Sequence, residues 1–125
     1  MPSKRTARIL IVEDESIVAL DLGDIILALG HDLVGYATTA ADAVLRTEQH
    51  RPDLVLMDIR LGLSDGVAAA RQIRERFGTK IIFVSAFSSD LDRRGVADLG
   101  PVVAKPFSEH AIGRAIAGAL AAAAA

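Results

Sequence analysis

The sequence predicts an α/β fold, a doubly wound parallel sheet of five strands. Three observations carry that prediction. Compact, mostly β-branched apolar runs at 9–12, 54–57 and 81–84 show no polar alternation, as strands buried on both faces do. Amphipathic helical patterns separate them. The strand–helix unit recurs five times, and right-handed crossovers between parallel strands place helices on both faces of the sheet.

The first strand, 9–12, ends in Glu13-Asp14. Val18, Leu22, Ile25 and Leu29 then fall at i, i+4, i+7 and i+11, one face of a helix that Gly30 is placed to stop. Residues 33–37 read as a weaker strand at a sheet edge. Thr38 or Thr39 caps a second helix with Ala41, Val44, Leu45 and Glu48 on one face, and Pro52 blocks its continuation. The third strand, 54–57, ends in Asp58. After the loop 59–65, Ser64 or Asp65 caps a third helix with Gly66, Ala70, Ile73 and Phe77 inward and Gly78 closing it. The fourth strand, 81–84, ends in Ser85. The stretch 87–100 is the poorest helix, because Leu91, Val96 and Leu99 fit the period loosely and Gly95 lies inside it. Residues 102–104 form a short fifth strand ending in Lys105-Pro106. The last helix starts near Ser108 and turns Ile112, Ile116, Ala119 and Leu120 inward.

A chain of 125 residues suits one domain with a sizeable core, expected over 1–125 with its core at about 7–120 and an alanine-rich tail at 121–125. A net charge of -2 argues against a broad nucleic-acid surface. The lack of cysteine excludes disulfides, thiolate metal sites and a cysteine nucleophile. The run 9–12 is too short for a signal-peptide core, and nowhere is there a membrane-spanning run. The expected compartment is the cytoplasm, with no membrane or nucleic-acid partner.

The chemistry gathers at the strand ends. In a parallel sheet these ends point the same way, so Glu13, Asp14, Asp58, Ser85 and Lys105 share one rim. Crowded carboxylates resist ionising unless a cation is present. With no histidine or cysteine at the rim, a hard cation such as Mg²⁺ is the expected ligand. Lys105 supplies a compact positive charge for a phosphoryl group and Ser85 a hydroxyl donor. No glycine-rich phosphate loop is present, which argues against a nucleotide site. The covalent chemistry left is a carboxylate attacking phosphorus to give an aspartyl phosphate.

These residues resemble a bacterial response-regulator receiver domain over essentially the whole chain. The matching pieces are residues 9–14, Leu56-Met57-Asp58, Asp65-Gly66, Val84-Ser85-Ala86 and Lys105-Pro106-Phe107. The resemblance implies a flavodoxin-like (βα)5 sheet of strand order 2-1-3-4-5. It implies that Asp58 accepts a phosphoryl group from a phosphohistidine on a sensor histidine kinase or histidine phosphotransfer protein. Asp14 then binds Mg²⁺, Glu13 assists directly or through water, and Arg60 adds its backbone carbonyl. Lys105 pairs with Asp58 and then with the phosphoryl group, Ser85 hydrogen-bonds a phosphoryl oxygen, and the Lys105-Pro106 peptide is cis. The protein would be no enzyme beyond its own phosphorylation and slow autodephosphorylation.

The plainer readings differ. Asp58 alone is a turn aspartate, Asp14 or Ser16 a helix cap, and Lys105 a solvated surface charge. His31, His50 and His110 are scattered, and Arg71, Arg74 and Arg76 look like a wet helix face. Two residues depart from the receiver pattern or add to it. Val102 stands where receivers commonly carry an aromatic ring that moves with the switch, and Phe87, two residues past Ser85, is placed to shield a phosphoryl group from water. The leading expectation is a stand-alone receiver. The alternatives are the excised N-terminal receiver of a longer regulator, and a phosphate sink or shuttle. A Mg²⁺ phosphatase would need a second carboxylate just past Asp58, where Arg60 stands instead.

Overall fold

The apolar runs pair laterally into one parallel sheet. The computed structural model describes residues 6–86 and 96–123. Its elements are β1 (Arg8–Val12), α1 (Ser16–Ala28), β2 (Asp32–Ala37), α2 (Ala40–His50), β3 (Leu54–Asp58), β4 (Arg60–Leu61), β5 (Ser64–Asp65), α3 (Gly66–Phe77), β6 (Lys80–Ser85), α4 (Val96–Leu99), β7 (Val102–Ala104) and α5 (Glu109–Ala123). The five-stranded sheet runs β2-β1-β3-β6-β7. With the small β4-β5 ribbon set aside, this is the expected 2-1-3-4-5 order, and β2 is an edge strand.

Alternation along each strand divides the core in two. Leu10, Val12, Val55, Met57, Ile81 and Phe83 face α2 and α3. Ile9, Ile11, Leu54, Leu56, Ile82 and Val84 face α1 and α5. Unbroken apolar runs are therefore required in the central strands, since either side of each must be dry.

The helix ends follow from local chemistry. Gly30 at φ 87° closes α1, with His31 N–H donating to Ile26 O and Gly30 N–H to Leu27 O. Thr39 Oγ1 accepts from Asp42 N–H at the start of α2, and Asp65 Oδ1 accepts from Val67 and Ala68 N–H at the start of α3. Neither Asp14 nor Ser16 caps α1, whose N-cap is Glu15 with no side-chain bond. In α2 the buried residues are Ala43, Val44 and Thr47, and Leu45 is 49% exposed. The inward face is rotated from the Ala41, Leu45 and Glu48 expectation because Thr47 satisfies its hydroxyl on Ala43 O and can be buried. The loop 59–65 folds into the antiparallel ribbon β4-β5. Phe87, Arg93, Arg94 and most of the loosely periodic stretch lie outside the described residues; towards its end, Val96–Leu99 form the short helix α4.

Candidate functional site

Sheet register builds the site. Val12, Met57, Phe83 and Val102 form one lateral row across β1, β3, β6 and β7. Glu13 and Asp58 stand one residue beyond that row, Ser85 two and Lys105 three. Residues as far apart in sequence as 13 and 105 thus meet at one rim. The backbone extends the ladder there: Glu13 N–H donates to Ala37 O at 3.0 Å, and Lys105 N–H to Ser85 O at 2.8 Å. The Lys105-Pro106 peptide is cis.

Glu13, Asp14 and Asp58 each present an oxygen, all within 4.8 Å of one another. Glu13 and Asp58 are buried, at 2% and 7% exposure, whereas Asp14 is open to solvent. Lys105 Nζ donates to Glu13 Oε1 at 2.8 Å and lies 3.6 Å from Asp58 Oδ2. Asp58 Oδ1 accepts from Arg60 N–H at 3.2 Å, and Glu13 Oε2 from Glu15 N–H at 3.2 Å. Ser85 is buried beside them, and a cleft of about 260 Å³ opens between Asp14, Asp58, Arg60, Gly62, Ser85 and Lys105.

The electrostatics follow from burying more negative than positive charge. Burial pushes the Glu13 carboxyl up to about 7, against the lowering effect of the Lys105 hydrogen bond. Burial likewise raises Asp58, only partly countered by Glu13, Lys105 and the Arg60 N–H. Burial pulls the Lys105 ammonium down, but its bond to Glu13 and the Asp58 charge outweigh this and hold it above its ordinary value. One ammonium does not neutralise three carboxylates. The donor set fits a hard divalent cation: oxygen only, tightly grouped, with an exposed member through which a hydrated ion enters.

Two glycines belong to this site and escape the strand-end logic. Gly62, at φ 59° in the β4-β5 turn, lies against Asp14, so that an added Cβ would stand 3.4 Å from Asp14 Oδ2. Gly66 presses the first turn of α3 onto the end of β3, where an added Cβ would run into Asp58 O. A glycine in the loop that follows Asp58 is the sequence signal for the first. The second adjoins the Asp65 cap. Val102 is half-buried against the α2/α3 side of the core, paired with Phe83, and Pro106 follows on the exposed side of Lys105.

Comparison with known proteins places the fold in a family. The family model of the response regulator receiver domain matches residues 9–117. The transcriptional regulatory protein PdtaR of Mycobacterium tuberculosis (strain H37Rv) is 38% identical over 104 residues, which are 81% of this chain and 50% of that protein. The chemotaxis protein CheY of Bacillus subtilis is 33% identical over 115 residues, 87% of this chain and 93% of CheY. The solution structure of the receiver domain of Erythrobacter litoralis PhyR has a TM-score of 0.84 at 34% identity, covering 92% of this chain and 90% of that one. The chain spans about half the length of the mycobacterial regulator. No helix among the described residues is long and apolar enough to cross a membrane. With the sheet order and the match over 9–117 in agreement, the chain belongs to the response regulator receiver domain family of two-component signalling.

Proposed function

We propose that this chain is a phospho-accepting receiver in which Asp58 takes a phosphoryl group from a phosphohistidine on a sensor histidine kinase or histidine phosphotransfer protein. The observation that carries the reading is the placement of Asp58: a buried carboxylate at the end of a central strand, 3.6 Å from an ammonium and grouped with two further carboxylates. An Asp58 oxygen forms the bond to phosphorus as the bond to the donor imidazole breaks. Arg60 N–H holds the other carboxylate oxygen in place. Lys105 moves its donor from Glu13 towards the phosphoryl oxygens, and Ser85 hydrogen-bonds one of them. Glu13, Asp14, Asp58 and the Arg60 carbonyl would hold Mg²⁺, which when bound neutralises charge on the transferred oxygens. The chain catalyses only its own phosphorylation and slow autodephosphorylation, as one receiver domain with its core at about 7–120, and its expected place is the cytoplasm.

Phosphorylation adds charge and acceptors at the rim and biases a partner-binding surface. Val102 lacks a ring that swings, so output here rests more on Ser85 and the chain that follows it. The test is incubation with acetyl phosphate and Mg²⁺, read by intact mass. The gain of one phosphoryl group, absent in Asp58→Asn, is the expected result; no gain even with an active kinase overturns the reading. The half-length match to the mycobacterial regulator favours a second reading, a receiver working within a longer regulator, which the full open reading frame decides.

A further inference from the structure

A second cavity lies at the end of the sheet opposite Asp58. It is an open depression of about 350 Å³ between the end of α3, the start of β6, the α4–β7 turn and the middle of α5. That volume suits a small ligand, since a dry cavity of about 150 Å³ already holds a benzene ring. Lys80 and Ser85 are five residues apart on β6, so this cavity is roughly 16 Å from the phosphorylation rim.

The walls are apolar and the rim is cationic. Ile81, Leu99 and Pro101 line the interior; Arg74, Lys80 and Arg114 surround it, and among the described residues no carboxylate lines it. In a chain with 16 acidic and 14 basic residues, a rim of one sign is a local reversal. Small residues on α5 keep the space open: an added Cβ at Gly118 meets nothing within 4 Å. On the other side the turn is pinned, because a Cβ at Gly100 would run into Ile81 O. Arg74 is held in advance, its Nη1 donating to Leu99 O at 2.7 Å. A fixed guanidinium has further N–H donors to offer a carboxylate or phosphate at little added ordering cost.

We propose that this cavity binds a small amphiphilic anion, an aromatic or branched apolar group of one or two rings carrying a carboxylate or phosphate. The apolar part fills the space against Ile81, Leu99 and Pro101, and the anion sits among Arg74, Lys80 and Arg114. Three separated cations favour an anion over a neutral ligand of equal shape, and the preference weakens with added salt.

The probes are 2-naphthoate, 2-naphthyl phosphate and the neutral 2-naphthamide, each titrated into ¹⁵N-labelled protein at low salt. Both anions are expected to shift the amides of Leu99, Gly100 and Gly118 while leaving those of Asp14 and Arg60 in place; the stronger of the two identifies the head group. Naphthamide should bind about tenfold more weakly, and Arg74→Ala or Lys80→Ala should each weaken naphthoate by about tenfold. Gly118→Leu fills the cavity and should abolish binding without changing phosphorylation by acetyl phosphate. Equal binding of naphthamide, binding that survives Gly118→Leu, or shifts at the Asp58 rim instead would overturn the proposal. So would concentration-dependent shifts at Leu99 and Gly118 without probe, which would assign the cavity to a second copy of the chain.

Discussion

Lys105 donates its hydrogen bond to Glu13, at 2.8 Å, rather than to Asp58, whose nearer oxygen is 3.6 Å away. The lysine is therefore held on a carboxylate of the candidate cation site. If Glu13 were engaged by a cation, Lys105 would be released from it and left free to turn towards Asp58. On the proposed function, cation binding and the release of Lys105 would then be one event.

Glu13→Gln separates these two effects. It removes one anionic ligand and weakens the lysine's present hold. Mg²⁺ affinity is expected to fall by about tenfold or more, with Lys105 turned towards Asp58 even without metal. Isothermal titration with Mg²⁺ reads the first effect, and the Lys105 ammonium resonance reads the second. Unchanged Mg²⁺ affinity would remove Glu13 from the cation site.

Stability should depend on pH through the same carboxyl. Folded Glu13 stands at about 7, against 4.5 for an ordinary glutamate. The folded chain therefore holds a proton that the unfolded chain has released between these values. This proton-linked stability is full below about 4.5 and is lost as pH rises through about 7. Asp58, also raised, adds a loss of the same sign. Metal-free protein is expected to melt several degrees lower at about pH 8 than at about pH 5, for a linkage on the order of 2 kcal/mol. Mg²⁺ should recover the difference at the higher pH and do little at the lower. Melting curves that coincide across this range would contradict the assignment.

Gly66 and Gly118 form a contrasting pair. A methyl at Gly66 meets Asp58 O, whereas at Gly118 it meets open space. Gly66→Ala is expected to cost about 2 kcal/mol or more and to slow phosphorylation, because α3 must lift off the strand end that carries Asp58. Gly118→Ala should add about 0.5–1 kcal/mol through helix propensity alone. Urea denaturation of both variants checks the two signs together.

Much of this fold is legible in the chain, and the reason is physical. The runs at 9–12, 54–57 and 81–84 lack polar alternation, and their four-residue length between amphipathic patterns marks them as strands covered on both faces rather than buried helix. The strand-end residues followed from parallelism alone. The face of α2 was not legible, because a buried threonine bonded to Ala43 O and an exposed Leu45 break the apolar code. Nor was the β4-β5 ribbon, whose two-residue strands are too short to show a period. The Lys105 bond to Glu13 was hidden too. Register brings both carboxylates within reach of the ammonium, but side-chain geometry alone chooses between them.

The division of β3 between two cores has a consequence for how this chain tolerates change in length. Val55 and Met57 belong to one side of the sheet, Leu54 and Leu56 to the other. Any substitution there alters one packing contact. A single inserted or deleted residue would instead exchange the two sides and turn the Asp58 carboxylate away from its neighbours. The aim of Asp58 is thus a matter of parity: β3 can vary in what it is made of, but not by one in how many residues it counts.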